Sequence, residues 1–385
     1  MGPRVYPSRS FATGWASLFL LYWLSAQAQA QAQASAAGVS AATAVYVRTD
    51  SDRTTVVAPR LHLSAPVTPA SQMDVVYTTD VWSSASIDIR TAATKRVVEQ
   101  RDELDMSLQY AFTDLALVGG YRYSTEHDYD SHGGSLGVVV DLAQHNTTLA
   151  ATLRGSFDAV GRAGDPLFDR RTALVGGRVS LTQVIDPRML AELVYELNSQ
   201  TGYLSSPYRY VRIADASATV FGTCVFPSTT CEREKNPSER LRHALALNLR
   251  RALSDACSVG ARYRFYRDDW QLQSHTLSGD IKLAFGSSWL VGLEYRLYRQ
   301  NGASHYRPFY ALEPFPTLRT SDKELSPFTS HRVELELSYS WRVDSSAAEL
   351  RAVLLAAPSY FLYDDFPFLR VIRAFESTLA MEVRL

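Results

Sequence analysis

Cysteine, one-sided charge and long apolar runs are what this chain lacks, and each shortage removes a class of protein. With three cysteines in 385 residues, a disulfide-stapled scaffold is excluded. In an exported chain they allow one bond, for which Cys224 and Cys231 in a long polar segment are the expected pair. Cys257, in the tight turn 254–257, is left as an odd thiol filling the place of a small turn residue. A net charge of −1 gives no signal for a nucleic-acid partner. After Leu24 no stretch approaches the ~18 uninterrupted apolar residues of a membrane helix, so helical spans are excluded. No nucleophile elbow and no H-E-x-x-H zinc signature supports hydrolysis, and no cofactor is expected.

The front of the chain is an address. Arg4 and Arg9 precede an apolar run from Phe11 to Leu24, and an Ala-Gln repeat follows with Ala26, Ala28, Ala30, Ala32 and Ala34 offering small-x-small cleavage options. Residues 1–34 therefore predict a signal peptide for Sec-type export, and residues 35–385 the mature domain. No cysteine follows the run for acylation, which argues against a lipoprotein.

Past the address, segments of about ten residues carry apolar side chains at every second position, the rhythm of a transmembrane β-barrel. In one of them Leu104, Met106, Leu108, Tyr110 and Phe112 fall on one face and Asp105, Ser107 and Gln109 on the other, because strand side chains alternate. Such a face meets lipid on the outside of a barrel, and the polar face meets water inside it. Turn signals divide the chain into about sixteen strands with connections alternating between short and long. Short turns are expected in the periplasm at 66–71, 112–115, 143–146, 185–188, 254–257, 286–288 and 344–347. Longer connections are expected outside, at 82–98, 127–132, 158–170, 200–237, 301–329 and 361–370. The fold class predicted is all-β: an antiparallel up-and-down barrel in the outer membrane of a Gram-negative-type bacterium. Its expected partners are outer-membrane lipid and lipopolysaccharide, the barrel-assembly machinery during biogenesis, and small solutes or ions.

Under this register the inward rows carry both signs of charge. Arg154, Arg178, Arg242, Arg250, Arg262, Arg264, Lys282 and Arg296 are balanced by acids that include Glu294, Glu334 and Glu336. These are the candidate pore-lining residues. Opposed charges would either cross-link the interior into a closed barrel or line a water-filled channel, where the cluster Arg242, Arg250, Arg262 and Arg264 would favour anions.

Motifs in a particular order resemble a known family. They are Gly119-Gly120-Tyr121-Arg122-Tyr123-Ser124-Thr125-Glu126-His127-Asp128-Tyr129-Asp130-Ser131, Leu181-Thr182-Gln183-Val184-Ile185-Asp186-Pro187, Gly202-Tyr203-Leu204-Ser205-Ser206-Pro207-Tyr208, and Tyr263-Arg264-Phe265-Tyr266-Arg267-Asp268-Asp269-Trp270. Together these resemble the bacterial family known as domain of unknown function 3570, over most of the mature chain. The resemblance implies an exported β-barrel without an assigned role, and no catalytic residues to carry over. The region of Cys224 and Cys231 departs from the family order.

The densest polar cluster, Glu126 to His132, makes His127, Asp128, Asp130 and His132 candidates for a divalent metal, since imidazole and carboxylate suit such ions. Solvated turn chemistry is the competing explanation. The expected function is a passive pore or solute channel, with the loop around Cys224 and Cys231 as a constriction or lid. A non-conducting structural or surface-binding barrel is the alternative. A rim hydrolase, requiring His127 or His132 beside Asp268 or Asp364, ranks third, so the chain is expected not to be an enzyme.

Overall fold

The computed structural model describes residues 38–84, 97–213, 231–311, 314–343, 348–366 and 369–385. The expected signal peptide, Cys224 and the turn at 344–347 lie outside the described residues. Alternation forces extended backbone, and most of the described chain is strand. The first half holds β1 (Ser40–Asp50), β2 (Thr54–Thr68), β3 (Ser71–Ser84), β4 (Val97–Ala111), β5 (Leu115–Glu126), β6 (Tyr129–Leu142), β7 (Thr147–Val160), β8 (Arg170–Asp186) and β9 (Met189–Gly202). Two short strands follow, β10 (Tyr210–Arg212) and β11 (Cys231–Arg233). The second half holds β12 (Glu239–Ser254), β13 (Cys257–Asp268), β14 (Gln273–Phe285), β15 (Trp289–Gln300), β16 (Phe328–Arg342), β17 (Glu349–Tyr363) and β18 (Val371–Arg384).

All but β10 and β11 form one closed barrel in which each strand pairs antiparallel with the next and β18 returns to β1. The strand number expected from turn spacing is thus observed: sixteen. Closure leaves no unpaired strand edge, which a spanning sheet in lipid requires. Both ends of the barrel strands, Ser40 and Arg384, meet at the end that carries the short turns.

The apolar sets face outward. Leu136, Leu153, Phe157, Val175, Leu277 and Leu335 are exposed, as a lipid-facing band must be in the absence of lipid. Polar residues alternate with them inside. Curvature identifies the inner face: side chains converge on the concave side, so groups two strands apart touch only there. Arg262 on β13 meets Glu294 on β15, and Arg332 on β16 meets Glu376 on β18 at 3.2 Å.

One expected loop is a strand instead. The connection placed at 127–132 shrinks to a turn of His127 and Asp128, and Tyr129 to His132 open β6. The tyrosines and short polar residues there pair fully with β5, since a polar segment at the barrel rim extends into water without cost. Two tight connections, 51–53 and 269–272, were not among those expected from turn signals.

Candidate functional site: the barrel interior and its mouth

The wall charges stand in rows set by the strand register. Of the bridges that cross a whole strand, three cross at a glycine. Arg154 on β7, Gly176 on β8 and Asn198 on β9 lie opposite one another, and the Arg154 guanidinium donates to Asn198 Oδ1 at 2.8 Å. Arg250, Gly260 and Asp280 repeat this across β12, β13 and β14, with Arg250 Nη2 donating at 2.9 Å. Lys282, Gly292 and Glu336 repeat it across β14, β15 and β16 at 2.8 Å. A side chain on the middle strand would occupy the space the bridge needs. A Cβ at Gly260 would lie 2.3 Å from Asp280 Oδ1, and one at Gly176 would lie 2.2 Å from Asn198 Oδ1.

These bridges redistribute the expected basic cluster. Arg250 and Arg262 are paired with carboxylates, and Arg264 lies 3.5 Å from Glu196. Arg178 lies within 3.6 Å of Glu192, while Arg332 stands between Glu334 and Glu376. Arg242, by contrast, donates to the amide of Gln200 at 2.9 Å, as Arg154 does to Asn198. An amide partner leaves the arginine charge unneutralised. Arg296 lies directly opposite Arg332, and Glu294 directly opposite Glu334. Every described ion pair on the wall lies within one strand or joins strands that are neighbours or next but one.

Over the end with the long connections lies a folded layer. It is built from segments 203–213, 231–238, 301–311 and 314–327, which are tied by the β10–β11 pairing and by the bridges Ile213 to Tyr310 and Lys235 to Arg319. Its apolar centre holds Leu204, Trp270, Leu272, Ala303, Tyr306 and Leu325. Its polar centre is the fully buried Glu234 carboxylate, which accepts from Ser206 N at 2.7 Å and Thr320 Oγ1 at 2.5 Å and lies 3.4 Å from Arg209. Arg209 also donates to Asp322 at 2.5 Å, and the neighbouring Lys323 donates to Asp52 at 2.9 Å. Tyr208 hydrogen-bonds Asp128.

Asp52, Asp322 with Lys323, Tyr208 with Arg209, and Asp128 belong to connections spaced four strands apart around the ring. Groups a quarter-turn apart meet only across the opening, so the layer spans the mouth. Nothing in periodicity or composition marks Arg209, Glu234, Asp322 or Lys323. Their partners are distant in sequence, and the Gly202-to-Tyr208 motif stops just short of Arg209.

His305 sits within this layer. Its ring meets Trp270 edge-on at 5.0 Å and Nε2 lies 2.9 Å from Asn236 Oδ1. Burial, reinforced by the Arg240 guanidinium and only partly opposed by Asp268, pushes its pKa down to about 4. The closed layer therefore holds neutral imidazole, whereas an opened layer exposes it to water. For a base with a depressed pKa, the stabilisation is complete above the ordinary imidazole value of about 6.5 and is lost as pH falls from there toward about 4. Hydrogen exchange in segment 301–311, corrected for intrinsic rates, is expected to speed up between about pH 7.5 and about pH 4.5 in wild type and not in His305→Asn. Equal protection at both values in wild type would count against this assignment.

The four metal candidates do not converge. His132 shares a hydrogen bond with Tyr121 at 2.8 Å and Asp130 accepts from Thr125 at 2.7 Å, both on the exterior, while Asp128 faces Tyr208. Among the described residues no cluster of three or more such groups is placed to hold a metal ion. Asp268, one of the two acids named for a rim hydrolase, is clamped by Arg240 at 2.6 Å and accepts from Leu272 N at 2.9 Å. Gly133-Gly134-Ser135-Leu136-Gly137 has the spacing of a nucleophile elbow but runs through β6, with no strand-to-helix turn to present the serine. Cys257 is a free thiol at the start of β13.

Solved structures share this architecture at low similarity. OprD of Pseudomonas aeruginosa is 10% identical with a TM-score of 0.42, covering 92% of this chain and 98% of that one. A bacterial polysaccharide outer membrane secretin is 8% identical with a TM-score of 0.48, covering 90% and 98%. The siderophore receptor PirA of Pseudomonas aeruginosa is 10% identical with a TM-score of 0.41, covering 91% and 81%. Likeness of this degree assigns neither solute nor partner. No curated protein matches the sequence. Residues 93–175 and 168–352, well over half of the chain, match the family described as "Protein of unknown function (DUF3570)", and this sixteen-stranded barrel belongs to it.

Proposed function

We propose that the barrel is a solute channel whose mouth is closed by the folded loop layer and whose wall favours anions. The observation that carries this reading is the direction of the wall bridges. They run along the wall between near strands, and none of those described reaches across the lumen. A structural barrel cross-linked through its centre would need the opposite arrangement. A barrel of about sixteen strands without such cross-links is wide enough for water.

The anion preference rests on Arg154 and Arg242, whose amide partners leave their charge uncancelled. In planar bilayers under a salt gradient, the reversal potential of the wild type is expected to have the sign of anion selectivity, and Arg154→Ala/Arg242→Ala is expected to move it toward cations. Arg262→Ala, which frees Glu294, should move it the same way by removing one positive charge. A reversal potential indifferent to all three substitutions would remove the arginines from the conduction path.

A further inference from the structure

On the exterior, one side-chain arrangement recurs four times. Tyr121 on β5 hydrogen-bonds His132 Nδ1 on β6 at 2.8 Å, and Tyr195 on β9 bonds His243 Nδ1 on β12 at 2.8 Å. Tyr263 on β13 bonds His275 Nδ1 on β14, and Tyr295 on β15 bonds His331 Nδ1 on β16, both at 2.7 Å. In every case the tyrosine lies diagonally two residues from the position opposite the histidine, on the strand that rises to a mouth connection. Tyr77 and Asp102 make the same diagonal between β3 and β4 at 2.7 Å.

The register places the four imidazoles at one height. From His132 the row of opposed residues passes Phe157, Ala173 and Thr201 to Glu239 on β12, and His243 stands four residues farther along. From His243 the row reaches Gln273 on β14, two short of His275. From His275 it reaches Thr329 on β16, two short of His331. The advance is one residue per strand crossed throughout, which is the stagger that tilted strands impose on a level ring.

In the tautomer whose Nδ1 accepts from the tyrosine hydroxyl, each ring carries its proton on Nε2, where it can meet a ligand. Exposed arginines flank the ring on one arc. Arg267 lies opposite His243 and Arg299 opposite His275, while Arg373 lies opposite Tyr360, itself opposite His331. Asp268 and Asp269 share the recess of His243 and Arg267. At the other rim the exposed aromatics pack against one another, Trp289 tilted against Tyr339 at 4.6 Å, and Arg251 lies 3.9 Å from Asp186. The two rims are chemically different, as are the two leaflets of an outer membrane.

We propose that this histidine–arginine ring is a binding collar for the phosphate groups of phosphorylated outer-leaflet lipid. Donor side chains stand at a single level where the apolar band ends, so a lipid can seat its chains on the leucines below while its phosphate accepts from imidazole and guanidinium. A free phosphate ion would use only the polar half of that surface. The collar stands whether or not the lumen conducts.

The test is native mass spectrometry of full-length protein refolded into phosphatidylcholine bilayers containing equal amounts of lipid A and its dephosphorylated form. Wild type is expected to retain lipid A over the dephosphorylated form by roughly tenfold or more, the scale of one charge-assisted hydrogen bond. Arg267→Gln/Arg299→Gln/Arg373→Gln should abolish that preference, and the four Tyr→Phe changes, which keep the rings but release the imidazoles, should reduce it. Folding of each variant is read from heat-modifiable migration. Equal retention of the two lipids by wild type, a preference untouched in both variants, or its displacement by inorganic phosphate at matched ionic strength would each overturn the collar.

Discussion

Glu234→Ala is expected to open the mouth layer while leaving the barrel folded. The Glu234 carboxylate is wholly buried, accepts two hydrogen bonds and lies 3.4 Å from Arg209. Removing it strands Ser206 N and Thr320 Oγ1 without their acceptor and leaves Arg209 with less compensation. Breaking a buried pair from one side costs roughly 3–5 kcal/mol. The barrel ladder does not share this cost, because its strands are held by their own hydrogen bonds and by lipid. The layer's opening equilibrium should therefore shift by more than about a hundredfold. Limited proteolysis, which follows the open population when opening is fast, should cut segments 203–213 and 301–311 far sooner in the variant than in wild type. Both proteins should retain heat-modifiable migration. Unchanged cleavage would mean that Glu234 does not hold the layer.

The second large effect belongs to a glycine. Gly260→Val is expected to destabilise the barrel by about 2 kcal/mol or more, since its Cβ would intrude on both Asp280 Oδ1 and Arg250 Nη2. Asp280 is almost completely buried, so it cannot turn to water when displaced. Gly279, one strand away and on the lipid face, supplies the comparison. A Cβ there meets nothing closer than 3.8 Å, and Gly279→Val should change stability by no more than about 0.5 kcal/mol. Urea unfolding from lipid vesicles measures both. If the clash is the cause, Gly260→Val in an Arg250→Ala/Asp280→Ala background should lose most of its effect. Equal costs at Gly260 and Gly279 would reduce the explanation to generic glycine replacement.

The difference between these two glycines shows where sequence reading stops. Alternation put Leu277 and Ile281 outside and Asp280 and Lys282 inside, because a strand allows only two faces, and this pattern was enough to specify a barrel and its strand number. It did not show which inward residue faces which. That depends on register, and register here is pinned by turns such as 187–188 and 255–256 and by the bulges beside them. Hence Arg242, Arg250, Arg262 and Arg264 read as one basic cluster, although three of them are paired with or lie beside carboxylates supplied by other strands. His132 and Asp130 read as metal ligands for the same reason. Seen one strand at a time they are neighbours in a polar run, and only pairing with β5 shows them engaged by Tyr121 and Thr125. The mouth layer was the least legible part. Arg209 and Asp322 are 113 residues apart, and no local pattern joins them.

Single-channel recording of the refolded wild type beside Glu234→Ala tests the channel account most directly. The account predicts discrete openings separated by long closures in wild type, and the same unit conductance with the open level prevailing in the variant. Silence from both proteins in their folded state would contradict it, and would mark the barrel as closed by something other than the layer across its mouth.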